Sequence, residues 1–485
     1  MTVPLREQPR TVLTGPVGGD LPHQLTAAAL PWLTARRWFA HDRGPVHRAL
    51  PRLTTVLTAG DPALVHLLVD VRHAPAGPDH RYQLLLGVRD RLPDHLAAAA
   101  VGRVHQGPWK GRHLYEAVAD TALTRHLLLS PLFSPEPGTD PRHAPRTSRV
   151  MAVEQSNTNV VYGDRLLLKL LRSPLPGPHP EADTLAALTA AGCAHTPALA
   201  GRLQARVPGE EPSVLGILQD YLDADADGWQ LATRQAAACI DGTCRGVPPF
   251  GGFTAQARRL GAAVAGLHRA LATAFPPTRL TAAAATERAE EMTAELTAAA
   301  EHVPQLDRFT GRLAALHADF ARQAARTRGL AAQRGHGDLH LGQTLHTEDG
   351  WKVIDFEGEP DRPLGDRLRP HPVTRDLAGM LRSFDYAAQH ALAGLLGEPS
   401  GPADAPGRLR RTRRARAWAI RNRRAFCAGY ADAGGPDPRC QPLQLRVYEA
   451  EKAVYEAVYE ARHRPGWLPI PLAALHRLAT PGRVH

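Results

Sequence analysis

Arg334-Gly335-His336-Gly337-Asp338-Leu339-His340-Leu341-Gly342-Gln343 leads, after a short hydrophilic spacer, into Trp351-Lys352-Val353-Ile354-Asp355-Phe356-Glu357-Gly358-Glu359-Pro360. One carboxylate, Asp338, sits in a loop rich in Gly and His. A short apolar run, Val353-Ile354, then delivers a second acidic cluster that starts at Asp355. Two carboxylates held on short loops beside a buried strand can divide their labour, one as a proton acceptor and one as a metal clamp.

Composition sets the frame. The 485 residues exceed one ordinary core and suit two or three domains. No run of eighteen apolar residues occurs, so no membrane span is expected, and Met1 to Arg10 lacks the apolar centre of a signal peptide. Cys193, Cys239, Cys244, Cys427 and Cys440 are scattered without metal-like pairing, which predicts a reduced, cytoplasmic protein. The net charge of +10 ordinarily suggests an anionic partner. Here 54 arginines stand against four lysines in an Ala-, Gly- and Pro-rich chain, the mark of GC-rich coding. Arginine number therefore says little, and Lys110, Lys169, Lys352 and Lys452 become the informative cations.

Upstream, Leu21 to Arg43 opens with an apolar helical pattern. Leu64–Val71 and Arg81–Val88 flank a Pro/Gly-rich turn and predict a hairpin. Leu96–Val101 and Leu114–Leu129 have helical spacing, and Pro131–Arg146 is loop-like. From Val150 the pattern becomes strand, polar loop, strand, turn, strand. The loop Glu154-Gln155-Ser156-Asn157-Thr158-Asn159 can lay backbone N–H and hydroxyl groups over phosphates. Lys169 interrupts the third strand, Leu167-Leu168-Lys169-Leu170-Leu171, where a lone ammonium is costly unless paired. Glu181 and Asp183, at the start of the next helix, are both candidate partners. A further strand, Val214 to Leu222, carries Gln219 and Tyr221 into a polar run that suits a hinge beside an adenine edge.

Downstream the chain is mostly helical. Asp376, at a helix start, reads as an N-terminal carboxylate, with a brace for the Asp338 loop as the alternative. Arg408 to Arg424 has the composition of a nucleic-acid grip but, with Ala415, Trp418 and Ile420 interleaved, reads better as a helix with a solvated arginine face. Tyr448, Lys452, Tyr455 and Tyr459 follow at steps of four, three and four, so they share one helix face. That face suits either a core seam or a wall against which a sugar ring stacks.

No zinc spacing, Gly-x-Ser-x-Gly elbow or Walker lysine loop is present. What stands out is order: a strand lysine, an acid at a helix start, Asp338 and Gln343 in one loop, Asp355 after a short strand. That order matches the protein-kinase template, in which phosphoryl transfer needs positioning and charge neutralisation more than covalent chemistry. In it Asp338 is the base, Lys169 the phosphate lysine, and Gln343 and Asp355 the Mg²⁺ ligands, with Glu357 an added oxygen donor. His336 is expected to hydrogen-bond the loop backbone, and Glu359 to brace the loop.

Several stretches together resemble the actinobacterial maltokinases. They are His336 to Gln343, Ile354 to Pro360, Arg375-Asp376-Leu377-Ala378-Gly379-Met380-Leu381-Arg382-Ser383-Phe384-Asp385-Tyr386, Lys452 to Arg462, Glu154 to Asn159 and Arg37-Trp38-Phe39-Ala40. The resemblance implies an α+β, bilobal protein-kinase-like fold with an N-terminal α/β cap, a β-rich N-lobe and a mostly helical C-lobe. The expected divisions are a cap over 1–100, an N-lobe with the phosphate loop and ATP lysine over 101–222, and a C-lobe over 223–485. It implies ATP- and Mg²⁺-dependent phosphorylation of maltose at the C1 hydroxyl, giving maltose 1-phosphate and ADP and feeding glycogen synthesis from trehalose. A trehalose synthase (trehalose–maltose isomerase) is the partner it suggests; neither nucleic acid nor membrane is expected. By the resemblance Ser156, Asn157, Thr158, Lys169, Glu181, Asp183, Gln219 and Tyr221 face ATP, and His340, Arg382, Tyr448, Lys452, Tyr455 and Tyr459 face the sugar. Asp183 stands where the family usually has Glu, so the partner of Lys169 stays open between it and Glu181. Alternative readings are a kinase for another small hydroxyl compound, such as an aminoglycoside, and an inactive kinase-like binding module.

Overall fold

A computed structural model describes residues 20–39, 44–151, 157–224, 226–243, 252–359, 362–396 and 405–480. The chain divides into two compact units, Met1–Asp183 with Ala198–Tyr221, and Thr184–Pro197 with Leu222–His485.

The first unit is built on strand alternation. Helix α1 (Leu21–Thr34) covers a five-stranded antiparallel sheet of β1 (Arg48–Thr58), β2 (Ala63–Arg72), β3 (Asp79–Arg89), β4 (Ala100–Arg103) and β5 (His113–Glu116), in spatial order β1-β2-β3-β5-β4. Successive side chains of a strand point to opposite faces. On β2, Val65, Leu67, Val69 and Val71 therefore join Leu21, Leu25 and Leu33 of α1 in one core. Leu64 and Leu68 face the other way, into a second core with Leu85 of β3. The pattern read as a helix over Leu114–Leu129 resolves differently. His113–Glu116 pairs with β3, and helix α2 (Thr121–Leu128) starts only after Asp120, whose carboxylate accepts from the Ala122 N–H. Leu96–Val101 likewise becomes a 3₁₀ turn over Asp94–Ala99 running into β4.

The second core is completed by another sheet. It contains β6 (Phe133–Pro135), β7 (Ser148–Val150), β8 (Asn157–Tyr162), β9 (Leu166–Leu171), β10 (Leu199–Ala205) and β11 (Ser213–Asp220), ordered β6-β10-β11-β9-β8-β7. Leu168 and Leu170 of β9, Leu203 of β10, and Leu215 and Leu218 of β11 meet Leu64, Leu68 and Leu85 of the cap sheet. Gln83 of β3, only 2% exposed, donates its amide to the carbonyls of Leu171 and Leu215, both at 2.8 Å. Helix α3 (Pro180–Ala190) follows β9.

The second unit is mostly helical: α4 (Gly228–Asp241), α5 (Phe253–Ala274), α6 (Ala282–His302), α7 (Asp307–Arg326), α8 (Leu364–Leu368), α9 (Thr374–Leu396), α10 (Ala405–Asp432), α11 (Pro442–His463) and α12 (Pro469–Ala479). Helix α9 is buried on nearly every side, between α4, α10 and α11. Helices α5 and α10 approach closely at Gly261 and Gly429, where a Cβ on either would meet the other helix's backbone oxygen. In α10, Ala415, Trp418 and Phe426 point inward, Trp418 stacking on Phe253 at 5.5 Å, while Arg410, Arg413, Arg416, Arg421 and Arg424 are exposed. Arg423 turns inward to Asp385 and Glu449. Short strands β12 (Ala226–Asp227), β15 (Thr344–Thr347) and β16 (Gly350–Val353) form a small sheet, and β13 (Thr278–Leu280) pairs with β14 (Leu330–Ala332). Among the described residues no helix is long and apolar enough to cross a membrane.

Candidate active site

In the first unit the alternation of β9 sends Leu168 and Leu170 into the core, which puts Lys169 on the opposite face. Its Nζ donates to Oε2 of Glu181 at 2.7 Å. Glu181, in the first turn of α3, is 2% exposed, so this acid takes the lysine. Asp183 instead faces Arg202 at 3.2 Å and accepts from the His179 N–H at 3.1 Å. Thr158 accepts from Nε of Arg172 at 2.8 Å, and Asn157 opens β8 beside it. Ser156 lies outside the described residues. Gln219 is buried in β11 with its backbone paired to Leu167 and Leu199. Tyr221, just past that strand, lies under the Arg149 guanidinium at 5.5 Å.

In the second unit the loop before β15 is held from α9. Asp376, 5% exposed, accepts from the backbone N–H of His336 at 2.7 Å and of Gly337 at 2.9 Å, and faces His268 Nε2 at 3.1 Å. This is the brace rather than a simple helix cap. Burial works against the Asp376 charge, but the His268 and backbone hydrogen bonds outweigh it and hold the carboxyl well below the usual carboxylate range. The loop also lies directly on the helix: a Cβ on Gly379 would sit 2.6 Å from the Leu339 carbonyl oxygen. His336 faces the Ile354 carbonyl at 2.9 Å, tying the two acidic loops together. His340 Nδ1 accepts from the Gly342 N–H at 3.0 Å and shapes the turn that presents Gln343.

Across the β15–β16 hairpin, Nε2 of Gln343 donates to Oδ2 of Asp355 at 2.9 Å. The pair expected to hold a cation is therefore brought together. Asp355 has φ +68°, a left-handed conformation that a non-glycine residue adopts at some cost. Glu357 is half-buried two residues on. A carboxylate, a side-chain amide carbonyl and a second carboxylate form a hard oxygen donor set, which suits Mg²⁺.

Asp338 is half-buried, and its Oδ1 accepts from Lys452 Nζ at 2.7 Å. The same ammonium donates to Oε1 of Glu359 at 2.9 Å. Glu359 Oε2 takes Arg362 at 2.5 Å and Arg375 at 3.1 Å. Arg362, Arg375 and Arg288 converge on Glu451. Burial disfavours the Glu359 charge, yet the three cations around it hold the carboxyl well below its ordinary range. The loop brace expected at Glu359 is thus part of a charge network that reaches Asp338.

The α11 stripe splits. Tyr448 is buried, its ring edge-on to Phe320 at 5.7 Å, and Arg382 is 1% exposed, bound to Glu456 at 2.5 Å. Tyr448 also lines a small cavity with Asp338, Glu359 and Lys452, whereas Arg382 is enclosed where α9 meets α11. Tyr455 and Tyr459 remain outward, stacked at 6.5 Å. Arg464 lies over Tyr459 at 5.4 Å and over Trp467 at 4.6 Å, and Trp467 stacks on Tyr386 at 6.0 Å. These added aromatic partners escaped the sequence reading, although Trp467 was visible in the Pro-Gly-Trp that ends the helix.

Residues 32–120 match the maltokinase N-terminal cap domain, and residues 147–418 match the phosphotransferase enzyme family. The chain is 28% identical over 345 residues to a glucosamine kinase of Mycolicibacterium smegmatis, covering 70% of this chain and 81% of that protein. It is also 28% identical over 392 residues to a glucosamine kinase of Streptacidiphilus jiangxiensis, covering 77% and 82%. A solved glucosamine kinase in complex with glucosamine, ADP and inorganic phosphate shares the fold, with a TM-score of 0.64 and 22% identity over 95% of this chain and 99% of that one. With the phosphotransferase match spanning more than half of its length, the chain belongs to the phosphotransferase enzyme family and carries a maltokinase-type cap ahead of the phosphotransferase body.

Proposed function

We propose that this phosphotransferase is an ATP- and Mg²⁺-dependent sugar kinase whose acceptor is maltose, phosphorylated at the C1 hydroxyl. The observation that carries the reading is the loop braced by Asp376, which presents Asp338 just before the Gln343–Asp355 pair. In this reading Asp338 orients the acceptor hydroxyl and takes its proton as the oxygen attacks the γ-phosphorus, and ADP leaves. Lys169, oriented by Glu181, neutralises phosphate charge. Gln343 and Asp355, with Glu357 beside them, would hold Mg²⁺, which supplies charge neutralisation on the phosphates. The cap match and the outward Tyr455–Tyr459 face favour a disaccharide. Maltose 1-phosphate would then feed α-glucan synthesis, with a trehalose–maltose isomerase as a candidate partner.

Glucosamine is the second reading, favoured by the names of the two relatives. The test is ADP release from Mg-ATP against maltose, glucosamine, glucose, trehalose and kanamycin, with ³¹P NMR of the product. The maltose reading predicts a phosphate coupled to the anomeric proton. Turnover of glucosamine alone would replace maltose as the acceptor, and a lack of ADP release with every sugar would end the sugar-kinase reading.

A further inference from the structure

Lys452 shares its helix face with three tyrosines, and its surroundings are those of an internal strut. The ammonium is flanked by Asp338 Oδ1 at 2.7 Å and Glu359 Oε1 at 2.9 Å, with the Tyr455 ring 4.7 Å away. Its side chain is 17% exposed. Glu359 cannot follow a departing lysine, because Arg362 and Arg375 hold its other oxygen. The strut is thus anchored at its far end to two guanidinium groups and, through them, to buried Glu451. In a chain with 54 arginines, a lysine here is itself informative. A compact ammonium fits between two carboxylates on different elements, whereas a planar fork demands a flat, bidentate partner.

We propose that Lys452 is a positioning residue for phosphoryl transfer: it pins Oδ1 of Asp338, so that Oδ2 is the oxygen offered to the acceptor hydroxyl. The role rests on the kinase reading above. Asp338 Oδ2, the oxygen other than the one Lys452 holds, faces His340, 3.8 Å from Nε2. A base fixed at one oxygen has one orientation to offer, and a displacement of about 1 Å at a reacting group costs about 100-fold in rate. The strut also couples that orientation to α11, the helix that carries the outward tyrosines.

Two measurements test this. In the first, kcat and KM for acceptor and for ATP are compared in wild type, Lys452→Met and the double variant Lys452→Met/Glu359→Gln. The expected result for Lys452→Met is kcat lowered about 100-fold with both KM values within about threefold. The double variant also removes the Glu359 charge, which Lys452→Met leaves to Arg362 and Arg375 alone, and kcat is expected to stay low. A raised acceptor KM with unchanged kcat would make Lys452 a sugar contact and overturn the proposal, as would recovery of kcat in the double variant. The second arm needs no acceptor and stands even if no sugar is turned over. Labelling with lysine carrying ¹³C at Cε gives a spectrum of four lysines, in which Lys452→Arg assigns one signal. Asp338→Asn is expected to move that signal, and an unmoved signal would refute the contact.

Discussion

Gly379→Ala sets two known effects against each other at one position. Inside a helix, alanine is favoured over glycine by about 1 kcal/mol, so the substitution should stabilise α9. At Gly379, however, the new Cβ would lie 2.6 Å from the Leu339 carbonyl oxygen. Ordinary contact begins near 3.4 Å, so helix and loop must separate by about 0.8 Å. Overpacking of this kind costs about 1–3 kcal/mol, which cancels or exceeds the helical gain. The larger consequence is kinetic, because Leu339 directly follows Asp338 and a shift of nearly 1 Å at the base lowers kcat about 100-fold. Gly394, in the same helix, has nothing within 4 Å of its Cβ position and is the internal control. Gly394→Ala is expected to raise the melting temperature by about 2 °C and leave kcat unchanged. The assay is ADP release at saturating substrates beside a thermal melt. If Gly379→Ala behaves like Gly394→Ala, with higher stability and kcat within twofold, the close approach of loop and helix is refuted.

Lys169→Met is expected to raise the KM for ATP at least tenfold and to destabilise the first unit by about 3 kcal/mol, because it strips the ammonium from the buried Glu181. Lys169→Met/Glu181→Gln should recover that stability in chemical denaturation, and a single variant as stable as wild type would contradict the pairing. Acid should unfold the second unit in a defined window. Burial pushes Glu451 upward, but Arg288, Arg375 and Arg362 outweigh it and bring its carboxyl down to about 2. A folded value below the unfolded one means the stabilisation is complete above about pH 5 and is lost as pH falls toward 2. Calorimetry between pH 7 and pH 3 is expected to show that decline, shallower in Glu451→Gln; an equally steep decline in the variant would remove Glu451 from the account.

The candidate site loop was legible because its residues are local: Asp338, the Gln343 amide and the Asp355 carboxylate lie close in sequence, joined by one small hairpin. Lys169 was legible for the opposite reason, as a charge that breaks an apolar strand. Its partner was not, since Glu181 and Asp183 occupy the same helical turn and only packing decides which is turned toward β9. Periodicity likewise placed Tyr448, Lys452, Tyr455 and Tyr459 on one face but could not show that Phe320 of α7 covers its first residue. The Lys452–Asp338 contact spans 114 residues of sequence, and no local pattern encodes it. The helix expected over Leu114–Leu129 holds only over Thr121–Leu128, because β3 supplied its first residues with a strand partner that helical spacing does not register.

The Gln83 amide has a consequence for how such proteins can be cut and recombined. The cap match ends at residue 120 and the phosphotransferase match begins at residue 147, which invites separation of the two as modules. Yet Gln83 ties the cap sheet to the carbonyls of Leu171 and Leu215, and apolar side chains from both sheets share one interior. A cut near residue 130 would strand two buried acceptors and expose half of a core, so the severed pieces should aggregate rather than function. Chimaeras that exchange caps between relatives must carry the strands of both sheets together, and the inheritable block is the whole of Met1–Asp183 with Ala198–Tyr221.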